Sequence, residues 1–131
     1  MKRNYPIYLV ILLLIFVFTS CGDRDSNIEY VIDNQSSKEI NIISSFRLQI
    51  DETNANTIAP SSNDVIFLDA GIGNTKRKLN GMTTIPFDSI IITNMDGLRY
   101  KKDPLPIDNW ERELVESNIG IVTLVVTDAD F

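Results

Sequence analysis

A chain that does acid–base or nucleophilic chemistry needs a titratable group poised near neutral pH. This one has no histidine and a single cysteine, Cys21. Ser–His catalysis and a cysteine zinc cluster are excluded, and one thiol forms no intrachain disulfide. Ser36 or Ser37 beside Lys38 is a formal Ser–Lys pair. Neighbours in sequence do not bring a nucleophile onto its base, and Asn34-Gln35-Ser36-Ser37 reads as a turn. The 18 Asp and Glu residues offer pairs of the kind a glycoside hydrolase uses. Most alternate with apolar positions, as Glu29 and Asp33 do, which is the pattern of a solvated sheet face. Asn94-x-Asp96-Gly97 and Asp128-x-Asp130 lack the further oxygen ligands and terminal Glu of a calcium loop. No catalytic residue, metal site or cofactor is predicted.

Binding chemistry has more to work with. Lys2 and Arg3 are the charged residues of the first twenty, so the rest of the chain carries 10 cations against 18 acids. That balance repels phosphate backbones and argues against a nucleic-acid partner. Within it, Lys76-Arg77-Lys78 is the densest run of positive charge. On a solvated loop it is a candidate contact for an acidic protein or for lipid and lipopolysaccharide phosphates. Trp110 could stack on a sugar ring, although a lone Trp in a small β-domain is more often core. Asp88-Ser89-Ile90 matches a short acceptor pattern for O-glycosylation in the Bacteroidota.

These residues sit on a chain whose dominant period is two. Ile28, Tyr30 and Ile32 share one face of a strand, with Glu29 and Asp33 on the other. A second run sets Ile40, Ile42, Phe46, Leu48 and Ile50 on one parity, with Ser44-Ser45 as a break that splits it in two. Asp51–Asn56 is turn-like, short strands are predicted at Thr57–Ala59 and Val65–Asp69, and Ala70–Pro86 is irregular. Ser89–Thr93 is a strand, Asn94–Gly97 a hairpin turn and Leu98–Lys101 its return. Ile119–Thr127 is apolar on both faces and belongs in the middle of a sheet. Asp108–Asn118 admits two readings, a helix with an Asp108/Glu111 capping box or a hairpin arm. The alternation of Trp110, Arg112 and Leu114 favours the hairpin. The fold expected is all-β, an immunoglobulin-like β-sandwich of about seven to eight short antiparallel strands.

The amino terminus is built differently. A basic start is followed by twelve apolar residues, Ile7 to Phe18, too few for the ~20 that span a bilayer, and then by small residues. That is a secretory signal. Phe18-Thr19-Ser20-Cys21 resembles the lipobox of bacterial lipoproteins. The resemblance implies cleavage between Ser20 and Cys21, a thioether-linked diacylglycerol on the Cys21 sulfur, and usually acylation of the new amino group. At ~0.8 kcal/mol per buried CH₂, two or three acyl chains hold stably where one binds reversibly. Gly22-Asp23-Arg24-Asp25 is similar to the acidic export signals of Bacteroidota lipoproteins, which implies the outer membrane.

A wider resemblance rests on Ile28–Asn34, Ile58-Ala59-Pro60, Pro86–Ile92, Asp96-Gly97 and the closing Thr127-Asp128-Ala129-Asp130-Phe131. In these the chain resembles a group of small uncharacterised Bacteroidota lipoproteins. The organisation expected is a signal peptide over residues 1–20, a lipidated Cys21 with a polar tether over 21–27, and a β-sandwich over 28–131. The functional expectation is a non-enzymatic, lipid-anchored envelope lipoprotein that binds an unidentified protein or glycan partner or serves envelope assembly. Two alternatives are a surface-polymer hydrolase using carboxylate pairs and a structural subunit of a surface assembly.

Overall fold

The computed structural model describes residues 25–47 and 53–131. Ser20, Cys21, the leader before them, and Leu48 and Ile50 lie outside the described residues. Among the described residues seven strands form two sheets: β1 (Asp25–Asn34), β2 (Ile40–Phe46), β3 (Thr53–Ile58), β4 (Ser62–Ile72), β5 (Phe87–Asn94), β6 (Glu111–Glu116) and β7 (Ile119–Val126). One sheet runs β4-β1-β7-β6 and the other β3-β2-β5. Their inner faces meet in a single core, so the protein is an all-β sandwich. Among the described residues no helix is long and apolar enough to cross a membrane.

Alternation builds the core. Ile28, Tyr30 and Ile32 of β1 and Val122, Leu124 and Val126 of β7 point inward from the four-stranded sheet. Ile40, Ile42 and Phe46 of β2 and Phe87, Ile90 and Ile92 of β5 meet them from the other. Aromatic rings fill the end near Phe46: Phe46 and Phe67 lie 4.6 Å apart between centroids, and Phe87 stacks on Trp110 at 6.3 Å. Asn34, fully buried, joins two turns. Its amide donates to the carbonyls of Lys38 (2.8 Å), Ile58 (3.0 Å) and Ala59 (3.1 Å), while its Oδ1 accepts from Ser36. The chain end is fastened by Asp130, whose carboxylate accepts from the Thr127 amide (2.8 Å) and hydroxyl (2.9 Å) and pairs with Lys102 at 2.5 Å. The closing Thr-x-x-Asp-aromatic motif is thus a capping box on a 3₁₀ turn, Asp128–Asp130.

The strands depart from the sequence pattern at several points. Neighbouring strands are antiparallel except β1 and β7, which run parallel. A parallel pair needs a long crossover, here nearly the whole chain, so local pattern does not reveal it. Ser44-Ser45 does not split β2; the strand runs through, with Ser44 buried and its hydroxyl unpartnered. Thr53–Asn56 is strand rather than turn, an edge strand whose Thr and Asn side chains largely face water. β1 begins at Asp25, so Asp25–Asn27 belong to the sheet rather than to a tether, and Ser26 is fully buried. Leu98–Lys101 returns with an isolated bridge, Thr93 to Arg99, not a strand. The Asn94 turn itself is as expected, with Gly97 at φ 77°. Asp108–Asn118 is the hairpin arm, a short 3₁₀ turn leading into β6.

Candidate functional site

The basic triplet is not on a loop. Gly73, at φ 134°, turns the chain out of β4, and the Asn74 side chain accepts from the Arg77 amide at 2.9 Å. That cap starts α1 (Thr75–Gly81). A seven-residue helix does not hold itself together in water; two side chains dock it. Thr75, fully buried, donates to the Ser26 hydroxyl at 2.9 Å. Leu79 packs on Gly120, where a Cβ would come within 2.7 Å of its Cδ1. Glycine at 120 is therefore what lets α1 close on β7. Arg112 adds a cation at the helix's carbonyl end, donating to Leu79 O (3.4 Å) and Met82 O (3.3 Å).

Docked this way, α1 forms one wall of a cleft of about 450 Å³, within the range of small-molecule sites. Ile28, Tyr30 and Ile85, all buried, supply apolar surface at its base, with Met82 and Pro86 beside them. Among the described residues its polar lining is Arg47, Lys78, Asp69 and Thr84, two cations to one carboxylate. Lys78 reaches the cleft over two glycines, one near the end of β4 and one just past it: its ammonium lies 3.2 Å from where a Cβ on Gly71 would stand, and its Cε 3.5 Å from that of Gly73. Among the described residues Lys78 makes no ion pair, and Arg47 meets Asp88 only through Nε at 3.5 Å.

Tyr30 completes the site. Burial, and secondarily the charge of Asp69, push its phenol up to about 12. The group stays protonated and is a hydrogen-bond donor, not a base. Its hydroxyl donates to the Met82 sulfur at 3.7 Å, a weak acceptor that a better one could displace. The arrangement can seat an anion against two cations, a phenol and the Thr84 hydroxyl, with an apolar tail below.

The residues expected from sequence are dispersed. Lys76 and Arg77 are exposed and line a separate, more open hollow of about 660 Å³ with Asn74, Asn80 and Gly81, so the triplet divides, and of its three residues Lys78 alone lines the cleft. Trp110 is buried, donating its indole N–H to Pro104 O at 2.7 Å, and is closed to sugar stacking. Ser89 is exposed on β5, its hydroxyl 2.8 Å from that of Ser45. Asp128 accepts from the Ser37 amide and hydroxyl, both at 2.9 Å, closing a turn. Among the described residues no three of His, Cys, Asp and Glu are grouped to hold a metal. No protein-family model, curated protein or solved structure matches this chain. The cleft's chemistry rests on Tyr30, Arg47, Asp69 and Thr84 as well, none of which stood out in the sequence as a binding residue; Tyr30 was read only as core. The one local signal was Asn74, a helix N-cap ahead of the basic run.

Proposed function

We propose that this protein is a non-enzymatic, lipid-anchored module of the cell envelope that binds an amphipathic anion in the cleft beside α1. The observation that carries the binding reading is the pairing of Lys78 and Arg47 over an apolar base in a chain that is otherwise strongly acidic. Two cations near one carboxylate favour a carboxylate or phosphate head, and the aliphatic lining favours a short hydrocarbon tail. Among the described residues Asp69 is the one carboxylate lining the cleft. A carboxylate-pair hydrolase needs a second at ~5–10 Å, so binding is the better-supported reading. The anchor is supported by the Ser20-Cys21 lipobox resemblance, with the Cys21 sulfur acylated and the domain held at the outer membrane.

Both halves can be tested on protein extracted from the membranes of its own host. Radioactive fatty acid should label the chain, and Cys21→Ala should abolish the label; retained labelling overturns the anchor. In equilibrium dialysis of the acylated protein in non-ionic detergent, octyl phosphate and octanoate should bind at least about tenfold more tightly than octanol. Equal retention of all three overturns the anion site.

A further inference from the structure

The outward face of the four-stranded sheet takes no part in the cleft, and it is not an ordinary solvated face. Directly paired residues on adjacent strands share a face. The registers therefore gather Val65, Leu68 and Ile72 of β4 with Ile119, Ile121 and Val125 of β7. Val65, Leu68 and Ile72 are 43%, 51% and 64% exposed. The same registers bring Asp25, Glu29 and Asp33 of β1 and Glu111, Glu113 and Glu116 of β6 onto that face. No outward position on any of the four strands holds Lys or Arg. The other sheet differs: its outward positions are mostly hydroxyls and amides, such as Asn41, Ser45, Thr57, Ser89 and Thr93, around Ile43 and Ile91.

An aliphatic field crossed by six carboxylates with no internal cation is half of a complementary pair. The geometry points to this face as a docking surface for a segment of a different protein that carries aliphatic side chains flanked by Lys or Arg. A second copy of this chain does not fit face to face, because six carboxylates would meet six. An anionic membrane surface is repelled for the same reason. Four strands ~4.8 Å apart and about eight residues long offer on the order of 500 Å², below the ~800 Å² per partner of a stable complex. The contact is therefore weak alone and gains from confinement of both partners at one membrane.

The test uses the full acylated chain in non-ionic detergent, with micelles alone as the blank. Three fluorescent nonapeptides serve as probes, alternating Lys/Val, Lys/Ser and Glu/Val. The Lys/Val peptide should bind at least about tenfold more tightly than Lys/Ser, and Glu/Val should not bind. Glu29→Lys with Glu113→Lys should weaken Lys/Val binding about tenfold or more, and Leu68→Ser with Ile72→Ser about threefold or more. Leu68, Ile72 and Glu113 are exposed and Glu29 is half-buried, and an unchanged circular dichroism spectrum shows that the variants fold. Equal affinity for Lys/Val and Lys/Ser, or indifference to both pairs of substitutions, overturns the proposal. So does a concentration-dependent dimer in sedimentation that the Leu68/Ile72 variant abolishes, since the occupant would then be a second copy. Loss of octyl phosphate binding has no bearing on this outcome, because the cleft and this face share no residue named in either test.

Discussion

At the helix-capped end of the sandwich, Ile28, Ile85 and Met82 lie beneath Arg47 and Lys78. On the outside of the four-stranded sheet, Leu68, Ile72 and Ile121 lie among Glu29, Glu111 and Glu113. Both surfaces are apolar in the middle and charged around it, but the signs are opposite and the shapes differ, a cleft against an open field. In each the aliphatic area supplies the gain from removing water, and the charge decides what is admitted. A single net charge hides this division. The excess of acids describes the sheet face well and the cleft wrongly, because a helix too short to register in composition delivers Lys78 across two glycines.

The two surfaces should respond differently to a change in the helix. Leu79 is the buried anchor of α1, and Leu79→Ala should cost ~2–5 kcal/mol, lowering Tm by roughly ten degrees or more. In the folded variant, octyl phosphate binding should fall with the loosened wall, while Lys/Val peptide binding stays as in the wild type. If both fall together, the two surfaces are not independent.

A smaller effect is expected at the opposite end of β7. Burial by itself pushes the Asp130 carboxyl upward, but hydrogen bonds from Lys102 and Thr127 outweigh it and hold the group below its usual 3.8. A carboxyl lowered by folding stabilises the native state fully above its unfolded pKa, and that contribution disappears as pH falls through the folded value. The wild type should therefore lead Asp130→Asn in Tm near neutral pH, and the gap should close below about pH 4. Thermal melts across pH 2.5–7 give the result; a gap that persists in acid would mean that the carboxylate's charge is not what fastens the chain end.

How far these features could be read in the sequence depends on how many side chains carry each signal. The core strands were legible because Ile28, Tyr30, Ile32 and Val122, Leu124, Val126 repeat the alternation several times over. α1 was not, because its burial rests on Thr75 and Leu79 alone. β3 was read partly as turn since Ile58 is its one buried residue. The apolar outward side of β7 was visible as a strand hydrophobic on both faces, which placed it centrally. That outward residues of β1 and β4 share this face needed the registers. Arg47 carries no local signal of its own: it follows directly on β2, which ends at Phe46, and lines the cleft. Lys78 stood out for its neighbours' charge, whereas its position depends on the absent side chains of Gly71 and Gly73.

The most direct measurement is a crossed titration by calorimetry, with octyl phosphate and the Lys/Val peptide each added to three full-length proteins: wild type, Arg47→Glu with Lys78→Glu, and Glu29→Lys with Glu113→Lys. Each variant should lose at least about tenfold for one ligand and keep the other, the cleft variant losing the phosphate and the sheet variant the peptide. Wild-type affinity for octyl phosphate in the Arg47/Lys78 variant would contradict the assignment of the cleft as an anion site.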